Sequence, residues 1–140
     1  MSDAARTCYV LLVEDNPGDQ RRIREALDAS GFDVTIRCAG NGAEALALLR
    51  RERPNLILLD LNLPAVDGRE VLDQLKADKR LQHIPIIVLT SSLMPQDILS
   101  AYRSGANCYM QKPLDLTVLF DRMRELISFW TRVAVLPPVE

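Results

Sequence analysis

The chain has 140 residues, 48% of them hydrophobic and 26% charged, and a formal net charge of -2, which is the size and composition of one domain with one substantial core. The weak net charge and the lack of a long block of one sign give no indication of a polyanion-binding surface, so we expect no nucleic acid partner. No secretion-like N-terminus and no run of roughly 20 apolar residues is present, so we expect a cytoplasmic protein without a membrane partner.

Five short apolar runs predict five β-strands. They span residues 8–13, 33–38, 55–60, 85–90 and 107–111. The inner three are too uniformly apolar for a sheet with one face in water, which indicates a sheet covered on both faces. Cys8, Cys38 and Cys108 lie in these runs without disulfide or metal-site spacing, which predicts buried, reduced thiols.

Apolar residues at helical spacing separate the strands and predict five helices. The first, "GDQRRIREALDAS", ends before Gly31, and the second begins at the N-cap Asn41 and ends at Pro54. The third and fourth are "DGREVLDQLKAD" and "PQDILSAYRSG", with Tyr102 on the apolar side of the latter, and the fifth runs from Leu114 to about residue 131. Alternating strands and helices predict an α/β fold, a doubly wound (βα)5 parallel sheet.

Polar side chains follow four of the five predicted strands, at the edge where open parallel sheets bind ligands. Glu14 and Asp15 follow strand 1, Asp60 strand 3, Thr90 strand 4 and Lys112 strand 5. Taken alone, each has an ordinary alternative as a helix cap, a turn residue, a β-former or a surface lysine. Their convergence on one edge favours a functional site.

The residue types at this edge favour phosphoryl chemistry. Three crowded carboxylates require a cation, and an oxygen-only ligand set suits Mg²⁺. With Mg²⁺ and the Lys112 ammonium nearby, Asp60 is expected to stay ionised as a nucleophile. An incoming phosphoryl group would also meet the Thr90 hydroxyl, which completes an electrostatic clamp.

The motifs "LLVEDNPGD", "PNLILLDLNLPAVDGREVL", "IPIIVLTSS" and "GANCYMQKP" resemble the CheY-like receiver domain of two-component response regulators. The resemblance covers residues 8–130, leaves 1–7 as a lead-in and 131–140 as a C-terminal tail, and implies the strand order 2-1-3-4-5. It also implies a phosphorelay protein that accepts a phosphoryl group from a sensor kinase phosphohistidine and has no independent substrate turnover.

Carried over by position, the resemblance implies that Asp60 is the phosphoacceptor and Lys112 the phosphate-contacting lysine. Thr90 is then the switch hydroxyl and Tyr109 the switch aromatic, which turns inward on phosphorylation and remodels the face of helix 4, strand 5 and helix 5. A static core role for Tyr109 is the alternative. Pro113 implies a cis peptide bond after Lys112.

The same resemblance implies the ligands of Mg²⁺. Asp15 and Asp60 bind the ion through their carboxylates and Asn62 through its backbone carbonyl. Glu14 stands where the family pattern has aspartate and also accepts glutamate, and its longer side chain favours a contact through water.

Within the family, "NCYMQKP" and the tail "ISFW" to "LPP" look most like the small regulators of bacterial phytochrome kinases, which implies a light-regulated kinase as partner. The tail is too short for an output domain, so output through surface contacts is expected. Its apolar residues favour a homodimer through helix 4, strand 5, helix 5 and the tail. A tail folded back on its own subunit is the alternative. The apolar residues are Phe129, Trp130, Val133, Val135 and Leu136.

Three other functions remain as rivals. A haloacid-dehalogenase-type phosphatase would need a second acid where Asn62 stands, and a flavin-binding module conflicts with the acidic loop "EDNPGDQ". A receiver-like scaffold that is never phosphorylated is disfavoured by the complete acidic set.

His83 is expected to be a solvated loop residue. Three arginines of helix 1 are either a solvated face or a kinase contact: Arg21, Arg22 and Arg24.

Overall fold

The computed structural model describes residues 7–63 and 67–138, which form a five-stranded parallel sheet in the order β2-β1-β3-β4-β5. The strands are β1 (Cys8–Val13), β2 (Val34–Ala39), β3 (Leu56–Leu59), β4 (Ile86–Thr90) and β5 (Cys108–Gln111). The helices are α1 (Pro17–Asp28), α2 (Gly42–Arg51), α3 (Gly68–Ala77), α4 (Pro95–Arg103) and α5 (Leu116–Ser128). The α/β class and the strand order are confirmed, and each strand lies within one residue of its predicted bounds.

The sheet has a hydrophobic cluster on each face. Leu11 and Val13 of β1 point into the cluster that α2, α3 and α4 cover, whereas Val10 and Leu12 point into the cluster under α1 and α5. This alternation follows from the two-residue period of a strand. All four residues of β3 are buried, so this strand is held rigidly between the two layers.

The helix ends follow local sequence signals. The Asn41 side chain accepts a hydrogen bond from Glu44 N at 2.8 Å, which confirms the predicted N-cap of α2. Gly31, just after α1, has φ 86°, a left-handed conformation that favours glycine. The last predicted helix ends earlier than expected, because one π-helical turn (Phe129–Val133) follows α5.

Tyr102 does not lie on the buried side of α4, so that prediction is wrong. Tyr102 is 47% exposed, and Ala101 is the residue of α4 that is buried. The reason is the sheet edge. Since β5 has no further strand beside it, the Tyr109 N–H points outward and donates to the Tyr102 hydroxyl at 3.0 Å.

The C-terminal tail folds back on its own subunit. Trp130 and Leu136 pack against the cluster under α1 and α5, and Pro137 and Pro138 line a small cavity near His83. Three other apolar residues of the π-turn and tail stay exposed, by 48%, 72% and 91% respectively: Phe129, Val133 and Val135. Intramolecular packing therefore uses only part of the apolar extension.

The cysteines are free thiols, as predicted, but only Cys8 is fully buried. Burial raises its pKa to about 11. Cys38 and Cys108 are partly buried. Within the described residues, no helix combines the length and the hydropathy needed to cross a bilayer.

Candidate functional site

Hydrogen bonds that continue the sheet by one residue bring the predicted site together. Glu14 N donates to Ala39 O at 2.9 Å, Asp60 N to Val13 O at 3.0 Å and Lys112 N to Thr90 O at 2.7 Å. Each polar residue therefore follows its strand at the same carboxyl edge, in the position that parallel pairing dictates.

Three acids form a compact cluster at this edge. One carboxylate oxygen from each of Glu14, Asp15 and Asp60 lies within 4.8 Å of the others. Glu14 is 1% exposed and Asp60 5%, whereas Asp15 is open to solvent. Buried strand ends thus hold two acids in place, and the third faces an approaching ligand.

Lys112 supplies positive charge inside this cluster. Its Nζ lies 2.5 Å from Glu14 Oε1, 3.2 Å from Asp19 Oδ2 and 3.3 Å from Asp60 Oδ2. Burial alone would lower the pKa of Lys112, but the Glu14 contact and the charge of Asp60 outweigh burial and raise it. The ammonium is therefore fully charged at neutral pH.

Glu14 keeps one carboxylate oxygen outside the hydrogen bonds of the site. Its Oε2 accepts a hydrogen bond from Asn16 N at 3.1 Å, but within the described residues Oε1 accepts none of good angle, despite the nearby ammonium. Burial raises the pKa of Glu14 to about 7, even though the Lys112 contact opposes that shift. The carboxylates of Glu14, Asp15 and Asp60, with one buried oxygen that accepts no hydrogen bond, fit a hard divalent cation.

Asn62 lies next to the cluster. Its backbone N–H donates to Asp60 Oδ1 at 3.0 Å, which fixes the orientation of that carboxylate. The role of its carbonyl as a metal ligand stays a prediction. The side chain at position 62 is an amide rather than an acid, which disfavours a haloacid-dehalogenase-type phosphatase.

The predicted cis bond between Lys112 and Pro113 is wrong, because residues 7–63 and 67–138 contain no cis peptide bond. The trans isomer of an X–Pro bond is favoured by roughly 0.5–1 kcal/mol unless other contacts oppose it. Here the direction of the lysine is set by its strand pairing with Thr90 and by the three carboxylates around its ammonium.

The predicted switch residues lie on neighbouring strands. Thr90 is 1% exposed at the end of β4, and its Oγ1 is 3.5 Å from Ser92 N. Tyr109 is half-buried, and its hydroxyl donates to Ser92 O at 2.9 Å. Burial raises the pKa of Tyr109, so this hydroxyl keeps its proton. The contact connects β5 to the segment after Thr90, where a switch would act.

Two groups of residues beside the site escaped sequence reasoning. Asp19, in the first turn of α1, contacts Lys112, and its signal in the sequence was an acidic residue at the start of the helix that follows β1. On the other side, Asp97 accepts hydrogen bonds from Arg69 Nη2 at 2.8 Å and from Ser92 Oγ at 2.6 Å. This second group joins α3, α4 and the segment after β4.

Gly68 lets α3 begin directly against the phosphoacceptor strand. Its N–H donates to Leu61 O at 3.1 Å. A Cβ on Gly68 would lie 2.5 Å from Leu61 Cα and would also overlap Asp60 O. A residue larger than glycine would therefore displace the backbone that carries Asp60.

The remaining candidates lie outside the cluster. His83 is exposed, as expected for a solvated loop residue, and Arg21 is exposed as well. Arg22 pairs with Asp19 at 2.8 Å, and Arg24 contacts Cys38 Sγ at 3.3 Å. The described contacts leave the possible kinase role of these arginines a prediction.

A family model for the response regulator receiver domain matches residues 10–124. The chain belongs to the response regulator receiver family. Response regulator Rcp1 of Synechocystis sp. is 41% identical over 135 residues, which are 91% of this chain and 92% of Rcp1. Receiver domains of this family are signalling proteins rather than enzymes that turn over an independent substrate.

Solved structures support the same placement. The phosphorylated cyanobacterial phytochrome response regulator RcpA superposes with a TM-score of 0.89 at 41% identity, over 95% of this receiver and 100% of RcpA. The Mn²⁺-bound form of Rcp1 superposes with a TM-score of 0.86 at 40% identity, over 94% and 99% of the two chains. This receiver is therefore similar to phytochrome-associated response regulators.

Proposed function

We propose that Asp60 accepts a phosphoryl group from a phosphohistidine of a sensor histidine kinase and that the chain signals through the resulting change in its surface. One observation supports this most strongly. Asp60 is 5% exposed at the end of a fully buried strand, and a charged lysine lies 3.3 Å from its carboxylate beside two further acids.

In the proposed transfer, an oxygen of Asp60 attacks phosphorus, the new P–O bond forms as the P–N bond to histidine breaks, and the leaving imidazole keeps the electron pair and takes up a proton. Lys112 donates hydrogen bonds to the phosphoryl oxygens and balances their charge. The Thr90 hydroxyl offers a further donor from the neighbouring strand. Transfer of this kind depends mainly on positioning and charge stabilisation, which these residues provide.

We propose Mg²⁺ as the cofactor, held by Asp15, Asp60 and the Asn62 carbonyl, with Glu14 in contact through water. Bound there, the ion neutralises charge on the transferred phosphoryl group. The three-carboxylate cluster and the buried Glu14 oxygen that accepts no hydrogen bond support such a site, and the relative Rcp1 has a Mn²⁺-bound form.

The direct test uses acetyl phosphate with Mg²⁺ and intact-mass spectrometry. The wild type gains the mass of one phosphoryl group, and Asp60→Asn does not. Neither protein hydrolyses p-nitrophenyl phosphate catalytically, because Asn62 cannot act as a general acid. If wild type and Asp60→Asn gain the same mass, or if the wild type turns over the ester, the proposal fails.

We further propose that the phosphodonor is a cytoplasmic phytochrome kinase, because the similar receivers RcpA and Rcp1 include a phytochrome response regulator. The receiver is expected to take phosphate from an autophosphorylated bacterial phytochrome much faster than from an unrelated histidine kinase. Equal transfer from both kinases would contradict this choice of partner.

The output surface is proposed to be the face of α4, β5 and α5, where two copies of the chain meet and no nucleic acid binds. Leu99 and Tyr102 are 52% and 47% exposed on α4. In the tail, Val133 and Val135 are exposed by 72% and 91%. Phosphorylation is proposed to reach this face through Thr90 and Tyr109.

A double substitution, Val133→Asp with Val135→Asp, tests the tail without removing its anchors Trp130 and Leu136. Light scattering should give a dimer mass for the phosphorylated wild type and a monomer mass for the variant. A variant that remains dimeric contradicts the role of the tail.

We retain residues 8–130 as the proposed receiver domain and 131–140 as its tail, while residues 1–6 and 139–140 lie outside the described part.

A further inference from the structure

We propose that Asp19 is a positioning residue that holds the Lys112 ammonium at the phosphoacceptor. The inference rests on the proposed phosphorylation of Asp60 and deepens it, because it adds a residue from α1 to a site otherwise built from strand ends. The contact that carries it is the 3.2 Å approach of Asp19 Oδ2 to Lys112 Nζ.

Asp19 is itself held in a defined orientation. Its backbone N–H donates to Asn16 Oδ1 at 3.0 Å, at the start of α1. Its Oδ1 accepts a hydrogen bond from Arg22 Nη2 at 2.8 Å, which leaves Oδ2 directed at the lysine. The hydrogen bonds to Arg22 and Lys112 outweigh the effect of burial and lower the pKa of Asp19. The carboxylate is therefore charged and oriented from two sides.

The other two partners of Lys112 have a second task. Glu14 and Asp60 belong to the described cluster of acids whose oxygens converge within 4.8 Å, and Asp19 is not part of that cluster. A cation held by Asp15 and Asp60, with Glu14 in contact through water, competes with the ammonium for the carboxylates of Glu14 and Asp60, and phosphorylation consumes an oxygen of Asp60. Asp19 is the partner that remains with the lysine in both situations.

A lysine side chain needs such a contact. Its four-carbon stem is flexible, and ordering it costs rotamer freedom. The Lys112 side chain is 19% exposed and that of Asp19 is 27%, so their ion pair is only partly screened by water. The pair fixes the ammonium before the phosphoryl group arrives.

A structural role for Asp19 is the competing explanation. An acid in the first turn of a helix stabilises that helix, and its i,i+3 pair with Arg22 adds to this. Asp121 and Arg124 in α5 form a control for the ion pair alone, because they also make an i,i+3 pair at 2.8 Å but lie beyond the first turn of their helix. Among the described residues, the acids paired with Lys112 are Glu14, Asp19 and Asp60, and not Asp121.

The experiment measures the rate of acyl phosphate formation with acetyl phosphate at saturating Mg²⁺ in wild type, Asp19→Asn, Lys112→Met and the double variant. Asp19→Asn should react about two- to five-fold more slowly, the effect of losing a partly exposed ion pair. It should cause no further loss in the Lys112→Met chain. Asp121→Asn should react at the wild-type rate.

A second readout is independent of activity. Urea unfolding of the same four chains without metal should show that the losses from Asp19→Asn and Lys112→Met are not additive, because both remove the same pair. Additive losses overturn the proposal, as does a wild-type rate in Asp19→Asn or an equal rate loss in the Lys112→Met chain. A wild type that forms no acyl phosphate instead refutes the proposed function.

Discussion

Replacing Gly68 by alanine tests whether close packing behind the phosphoacceptor is needed. Gly68 is the first residue of α3, and the added Cβ would lie 2.5 Å from Leu61 Cα, whereas ordinary contacts begin at 3.4 Å. The backbone of residues 60 and 61 must therefore move by roughly 1 Å, since Cα atoms cannot rotate away as a flexible side chain can.

Two opposing effects determine the magnitude. Alanine restricts the unfolded chain and favours helix, which stabilises by about 0.4–1 kcal/mol at an unstrained site. Overpacking costs about 1–3 kcal/mol. We expect a net loss of about 1–2 kcal/mol in the free energy of unfolding, and about a ten- to hundred-fold slower phosphorylation, because a displacement of roughly 1 Å misaligns Asp60.

The assay combines urea unfolding with the rate of phosphorylation by acetyl phosphate. Gly40→Ala is the matched control, because Gly40 also follows a strand at this edge and its added Cβ would meet only Glu44 Oε1, at 3.9 Å. The control should be as stable and as reactive as the wild type. If Gly68→Ala equals Gly40→Ala in both measurements, the close approach of α3 does not position Asp60.

Three further predictions concern metal, core and thiols. Saturating Mg²⁺ should raise the free energy of unfolding of the wild type in urea by about 2–3 kcal/mol at a hundred-fold excess over the dissociation constant, and an equal rise in Asp15→Asn would count against that ligand. Met123→Ala, at 0% exposure, should cost about 2–5 kcal/mol in urea unfolding, whereas Val135→Ala, at 91%, should cost less than about 0.5 kcal/mol; similar losses would refute the burial of Met123. Cys8 should react with iodoacetamide far more slowly than Cys38 at pH 8, and equal rates would contradict its burial. Since folding raises the pKa of Cys8 from 9.0 to about 11, ionisation favours the unfolded chain, and this contribution to stability should decline as the pH rises above 9.

The convergence of the residues that follow the strands was predictable, because the geometry of a parallel sheet does not depend on side-chain conformations. Once parallel strands are recognised, residues that follow them must meet at one edge, so Glu14, Asp60 and Lys112 converge whatever the side-chain rotamers are. The two-residue period likewise determines that Leu11 and Leu12 enter different clusters. These features depend on topology alone.

Contacts that depend on how a helix is rotated were not predictable. Asp19 reaches Lys112 only because α1 begins above the end of β1 with that side turned toward β5, which periodicity does not specify. The exposure of Tyr102 has a similar origin, since the open edge of β5 offers a backbone N–H that an apolar pattern does not reveal. An aspartate or a tyrosine in the sequence does not by itself indicate which group it will contact.

The packing of the C-terminal tail could not be predicted for a different reason. Its apolar residues could cover a partner or its own subunit, and composition does not distinguish these. The structure packs Trp130 and Leu136 against the core while Val135 stays 91% exposed. The side chains that reach the cluster under α1 and α5 fold the tail back on its own subunit. The exposed side chains still leave an apolar surface that a partner could cover.

The central claim is that Asp60 is the phosphoacceptor, and borohydride trapping tests it most directly. Borohydride reduces an aspartyl phosphate to homoserine, so the position of homoserine in the peptide map identifies the modified residue. After reaction with acetyl phosphate and Mg²⁺, we expect homoserine at position 60 and aspartate retained at Asp15 and Asp19. Homoserine at either of those positions, or at none, would contradict the claim.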